Sequence, residues 1–158
     1  MIAFHVTTAS VALLLGACIF LLPKGTGLHR KIGYAYVATM TLASVSAFFL
    51  SGFNGGWSFF HALAAFTLLN LALGVYTIRR AMRTGNRRLI GRHYGFLAGS
   101  YVAPVSALAG QFLPALLPLD RRSGVVVVVL ATAALGTLVV RYFARSVVQR
   151  YADQDLAA

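Results

Sequence analysis

The four histidines of this chain, His5, His29, His61 and His93, are its residues with the most specific chemistry. A neutral imidazole binds transition-metal ions and haem iron. Other reactive groups are scarce, because the 158 residues include only three acids and one cysteine, Cys18. A single cysteine excludes an internal disulfide framework and a thiolate cluster built by one chain. A functional site is therefore expected around the histidines.

The composition predicts that these histidines lie in membrane-spanning helices. Of all residues, 59% are hydrophobic and 11% are charged, and the mean hydropathy is +0.77. A soluble domain carries roughly 25% charged residues. Five apolar segments approach or exceed the length needed to cross a hydrocarbon core of ~30 Å. They run over residues 2–22, 32–53, 57–78, 94–117 and 125–140.

We therefore predict an all-α, polytopic membrane bundle that forms one transmembrane domain over residues 1–158. Helices are expected at about 2–22, 30–53, 57–82, 90–117 and 124–147. The last begins with a valine run, 125–129, that would suggest a strand in water. An open strand in lipid leaves its backbone unpaired, so a helix is expected there as well.

The basic residues predict the orientation. Twelve of the fourteen Lys and Arg residues fall in the first connection, the third connection and the C-terminal end, and only Arg121 and Arg122 fall elsewhere. Basic loops stay in the cytoplasm. In a bacterial inner membrane, five spans then place the N-terminus outside the cell's cytoplasm and the C-terminus in the cytoplasm. Because these charges separate apolar runs, the net charge of +11 is assigned to topology and contact with lipid, and no nucleic-acid partner is expected.

A coarse internal duplication predicts how the histidines pair. Helices one and two resemble helices three and four, so the core is expected to be a four-helix up-down bundle of two similar hairpins, with helix five appended. Each of the first four helices carries one histidine. His5 and His61 then lie near the outer ends of alternate helices, and His29 and His93 lie near the inner ends.

Two imidazoles facing each other across a bundle are what a six-coordinate b-type haem requires. We therefore expect haem b between His5 and His61, between His29 and His93, or at both places, in a protein that takes electrons from a quinol or another carrier. Lys24, Arg30 and Arg92 are candidate partners of the haem propionates. Gly16 and Gly74 are expected to leave room for a flat cofactor.

Other interpretations remain open at this stage. The same histidines could bind Zn or Cu in a metal-binding or metal-transporting protein. They could also be interfacial anchors in a structural or assembly subunit of a membrane complex. The acids, Asp120, Asp153 and Asp155, lie outside the expected spans and supply no carboxylate ligand within them. Whether the protein is an enzyme, how many haems it holds and its oligomeric state stay open.

The first connection carries a resemblance to a known family. It reads Pro23-Lys24-Gly25-Thr26-Gly27-Leu28-His29-Arg30. This turn, with His5 before it and His61 and His93 after it, resembles a family of small bacterial membrane proteins of unknown function. More distantly, the alternating histidines look like those of cytochrome b561-type electron carriers. That likeness implies haem between alternate helices, although the histidines here lie nearer the span ends.

Overall fold

The computed structural model describes residues 1–50 and 56–156, with side chains described as far as residue 145. The described residues form five α-helices and one short 3-10 helix, Leu113–Leu116. The α-helices are α1 Ile2–Leu21, α2 Gly27–Ala47, α3 Phe59–Thr84, α4 Arg88–Phe112 and α5 Arg121–Leu156. The all-helical fold predicted from the sequence is confirmed. The chain divides into two compact units, Met1–Leu68 and Leu69–Ala158.

Within the described residues, four helices are long and apolar enough to cross a membrane: α1, α3, α4 with the 3-10 helix, and α5 as far as Arg145. Many large apolar side chains on them are exposed, including Leu14 at 69%, Leu21 at 87% and Leu135 at 63%. A soluble protein rarely exposes so much contiguous apolar surface. Contact with a lipid bilayer explains these exposed faces, as the composition predicts.

In the first unit, α1 and α2 form an antiparallel hairpin whose connection is held by three local devices. Lys24 Nζ donates to the carbonyls of Ile19 and Phe20 in the last turn of α1, where the carbonyls of a helix need partners from outside its own ladder of hydrogen bonds. Gly25 has φ +80°, a left-handed conformation that glycine adopts without steric cost. Thr26 caps α2, because its hydroxyl accepts the His29 N–H at 3.2 Å.

The second helix differs from its predicted bounds. It was predicted to run to about residue 53, but α2 ends at Ala47. The N–H groups of Phe48, Phe49 and Leu50 then bond to carbonyls three residues earlier, which tightens the chain into turns. Residues 51–53 lie outside the described part. Apolar residues continue past the helix end, so hydrophobicity alone overestimates its length.

In the second unit, glycines let neighbouring helices approach closely. A Cβ on Gly74 of α3 would overlap Leu97 of α4. A Cβ on Gly110 would lie 2.6 Å from Val129 of α5, and one on Gly136 of α5 would lie 2.8 Å from Val102 of α4. Helix–helix association in lipid depends on such close packing of small residues.

Helix α5 begins and ends outside its predicted bounds of about 124–147. It starts at Arg121 because the Asp120 carboxylate accepts the Ser123 N–H at 3.0 Å and caps it, and it continues to Leu156. The valine run is helical, as predicted, with Val125, Val128 and Val129 buried.

Candidate functional site

His5 lies in the first turn of α1 and is half-buried. Its Nδ1 lies 3.0 Å from the Ala43 carbonyl oxygen and 3.0 Å from Ser46 Oγ, both on α2. A carbonyl oxygen only accepts, so Nδ1 carries the proton and donates. The Ser46 hydroxyl donates to the same carbonyl at 2.8 Å. The second ring nitrogen, Nε2, therefore keeps its lone pair, as a metal-binding histidine requires.

His61 is 7% exposed and lies in the first turn of α3. The backbone N–H of Ser58 donates to its Nδ1 at 2.8 Å, so the proton sits on Nε2, which donates to the Leu50 carbonyl at 3.1 Å. The ring also contacts Phe48 and Trp57, with centroid separations of 5.8 and 5.4 Å. Both nitrogens of His61 are thus engaged in the described geometry.

His61 has a structural role that explains these bonds. In a capping box, the third residue of a helix accepts the backbone N–H of the N-cap residue, usually through Glu or Gln. Ser58 precedes α3, and His61 is the third residue after it. The His61 Nδ1 bond to the Ser58 N–H is this interaction, with imidazole in place of a carboxylate.

His5 and His61 contact the same short stretch of chain. His5 reaches Ala43 and Ser46 near the end of α2, and His61 reaches Phe48 and Leu50 just beyond it. The structure therefore brings these two predicted site residues to one end of the first unit.

His93, in the second unit, repeats the arrangement seen at His5. Its Nδ1 lies 2.9 Å from the Gly74 carbonyl and donates to it, which leaves the lone pair on Nε2. Gly74 itself contacts Leu97, and a Cβ there would overlap that side chain. The prediction that Gly74 leaves room for a flat cofactor is wrong, because Leu97 fills the space.

The remaining predicted site residues lie around the two helix connections. His29 is half-buried in the first turn of α2, and Arg30 next to it is exposed. Arg92 is exposed on α4. Lys24 donates to carbonyls of α1, and partial burial lowers the pKa of its ammonium group. The pairing of His29 with His93 stays a prediction, since these residues belong to different units.

A zinc site and a haem site need different numbers of protein ligands. Among the described residues, no three His, Cys, Asp or Glu side chains gather into a metal-binding group. A tetrahedral zinc site uses three or four such ligands, whereas haem iron takes one or two. In the described tautomers, Nε2 of His5 carries a lone pair, whereas Nε2 of His61 carries the proton.

A comparison with known families places the chain. The family model described as "Predicted membrane protein (DUF2306)" matches residues 2–146. The chain belongs to this family. No curated protein and no solved structure matches it. Membership agrees with the apolar, helical structure and carries no activity with it.

In this DUF2306 member, the residues of the first connection that suggested a family resemblance act locally. Lys24 caps α1, Gly25 makes the turn, and Thr26 caps α2. These bonds explain the turn without a ligand. Of the three predicted propionate partners, Lys24 is engaged by backbone carbonyls, whereas Arg30 and Arg92 are exposed.

Several partners of the histidines were missed in the sequence. Ala43 and Ser46 carry no signal of their own, because a carbonyl acceptor can belong to any residue. Ser58 could have been found, since Ser-x-x-His matches the spacing of a capping box. The aromatic contacts of His61 with Phe48 and Trp57 depend on where α2 ends, which the sequence misplaced.

Proposed function

We propose that this protein binds b-type haem in the bacterial inner membrane and transfers electrons, with His5 and His61 as the ligands of the outer site. The observation that supports this most is the bond from His5 Nδ1 to the Ala43 carbonyl, because it orients the ring and leaves Nε2 as a ligand. Bound haem would supply one-electron transfer, with a quinol or another carrier as donor.

His61 must change its tautomer to act as the second ligand. Ser58 Oγ lies 3.1 Å from His61 Nδ1 and can accept a hydrogen bond from it. With the proton on Nδ1, Nε2 gains a lone pair, and His61 gives up its bonds to the Leu50 carbonyl and to the Ser58 backbone N–H. The Ser58 hydroxyl then becomes the acceptor that holds the ring. His61 is therefore less ready than His5 to bind iron, because its tautomer must change first.

The same fold supports the proposed orientation. His5, near the start of α1, contacts Ala43 near the end of α2, so α2 runs back along the whole length of α1. If α1 crosses the bilayer, α2 crosses it too, although α2 is not one of the four helices that are long and apolar enough to do so by themselves. Five crossings put the N-terminus outside and the basic C-terminal end in the cytoplasm.

A reporter enzyme that is active only outside the cytoplasm tests this orientation. Fused to the C-terminus of the chain, it should stay inactive, and an active fusion would contradict the proposed orientation.

The test is absorption spectroscopy of the full chain purified in detergent from haem-replete cells. We expect a Soret band that shifts on reduction, and His5→Ala should remove the signal of the outer site. Thr7→Ala is the matched control, since Thr7 is exposed two residues away on the same helix. A folded, colourless preparation from haem-replete cells would contradict the proposal, and stoichiometric Zn or Cu in it would favour the metal-binding alternative.

The variant His61→Glu distinguishes a role of His61 as a haem ligand from its role in capping α3. Glutamate restores the capping box at this position but does not bind haem iron in place of an imidazole. If His61 is a ligand, the variant keeps its thermal stability and loses the outer-site spectrum. An unchanged spectrum in His61→Glu would show that His61 serves α3 alone.

A further inference from the structure

The end of the second unit at the α3–α4 connection carries an unusual concentration of arginine. The six residues are Arg79, Arg80, Arg83, Arg87, Arg88 and Arg92, and all are exposed. No lysine or acid occurs between residues 79 and 92, and no acid occurs anywhere before Asp120. The guanidinium groups therefore have no carboxylate nearby in sequence to neutralise them. We call these six residues the arginine end.

The packing of α3 on α4 arranges the arginine end in levels. Gly74 contacts Leu97, so residues equally far from this contact along the two antiparallel helices lie at similar depth. Arg79 and Arg92 are each five residues away, and Arg83 and Arg88 are each nine. At 1.5 Å per residue the two levels lie about 6 Å apart. Exposed arginines of both helices thus lie within a narrow slab at one end of the hairpin.

Positive-inside topology alone does not explain the choice of arginine. Lysine serves that purpose equally well, and the first connection uses Lys24 and Lys31 beside Arg30. Arginine differs in presenting a planar fork of donors that matches two oxygens of a phosphate. Arg80 is already held at the surface, because its Nη1 donates to the Tyr76 hydroxyl at 3.2 Å.

We propose that the arginine end binds the phosphate groups of anionic phospholipids. The phosphodiester is the anion present at high density where a membrane helix leaves the hydrocarbon core, and anionic lipids add a net negative charge that zwitterionic lipids lack. Two levels of exposed arginine on neighbouring helices can engage more than one phosphate oxygen at once. The proposal uses neither His5 nor His61, so it stands whether or not haem binds at the outer site.

The experiment measures thermal unfolding of the purified full chain in neutral detergent. Added phosphatidylglycerol should raise the midpoint in a saturable way, because a ligand that binds only the folded state stabilises it. Phosphatidylcholine should have little effect. Equal effects of the two lipids would overturn the proposal, as would inorganic phosphate that matches phosphatidylglycerol at equal phosphorus concentration.

A charge-preserving variant tests the role of the guanidinium forks. In the quadruple variant Arg79→Lys, Arg83→Lys, Arg88→Lys and Arg92→Lys, topology and net charge are kept. We expect the apparent affinity for phosphatidylglycerol to fall by about tenfold or more, since lysine cannot make bidentate bonds. The matched control replaces four exposed arginines of α5 by lysine, Arg121, Arg122, Arg141 and Arg145, and should respond like the unmodified protein. If the first variant also responds like the unmodified protein, the arginine end acts as a general positive field, and the proposal is wrong.

Discussion

The two helix connections that carry most of the basic residues use them in different ways. In the first, between α1 and α2, Lys24 turns back to bond carbonyls of α1, and Thr26 caps α2. In the second, between α3 and α4, the arginines lie at the surface around the end of the hairpin. A count of positive charges treats the two connections alike. The hydrogen bonds show that the first connection is held by its own side chains, whereas for the second we propose a role in binding phosphate groups.

The histidines also differ in the hydrogen bonds that their rings make. His5 and His93 each donate from Nδ1 to a carbonyl of the neighbouring helix, Ala43 and Gly74 respectively. His61, which the duplication pairs with His5, bonds instead to its own helix start and to Leu50. Equivalent positions in the two sequence halves thus have different hydrogen-bond partners. A repeat in sequence does not guarantee a repeat in chemistry.

The largest effect that we predict is a difference in how the two hairpins tolerate a methyl group at a helix glycine. Gly74→Ala places a methyl group against Leu97, and we expect a loss of about 1–3 kcal/mol from overpacking. Gly33→Ala in the first hairpin meets no atom within 4 Å, so it should be neutral or stabilising by up to ~1 kcal/mol. The free energy of unfolding in mixed detergent micelles measures both. Equal values for the two variants would show that α3 and α4 do not depend on this contact.

A second prediction treats the turns, where the two hairpins are alike. Gly25 and Gly85 have φ of +80° and +66°, so an alanine at either position should cost about 1–2 kcal/mol. Gly27→Ala is the control, because Gly27 lies in α2 with open space around it. The readout is again the free energy of unfolding. If asparagine at position 25 or 85 fails to recover part of the loss, the left-handed backbone is not the cause, since asparagine tolerates that conformation.

The sequence predicted the helices well where one signal dominated. Helix α1 was expected at about 2–22 and lies at Ile2–Leu21, because a mainly apolar segment without proline or charged residues ends at Pro23. The end of α2 was missed because Phe48, Phe49 and Leu50 continue the apolar pattern after the helix has stopped. The nitrogen that each imidazole offers was beyond reach, since it depends on which carbonyl comes within 3 Å of the ring. That the histidines pair around a haem therefore stays a prediction, while the structure gives the local partners of His5, His61 and His93.

The smallest effect concerns how two helix caps respond to acid. Thr26 and Asp120 each accept a backbone N–H, at 3.2 and 3.0 Å, but only the aspartate titrates. The Ser123 backbone N–H, with its hydroxyl, holds the pKa of Asp120 below its usual range. Since the folded-state pKa is the lower one, the stabilisation is complete above the ordinary aspartate pKa of about 3.9 and is lost as pH falls through the lowered value.

Comparing two alanine variants across pH tests this difference between the caps. Thr26→Ala should cost about 1 kcal/mol at every pH between ~3 and ~7, because a hydroxyl does not change its charge there. Asp120→Ala should destabilise α5 at neutral pH and converge on the unmodified protein in acid. Asp120→Asn is the control that keeps the cap without the charge, so its difference from Asp120→Ala should not vary with pH. Helical circular dichroism during unfolding gives the measurement. A deficit of Asp120→Ala that persists unchanged in acid would show that the carboxylate charge contributes nothing to the cap.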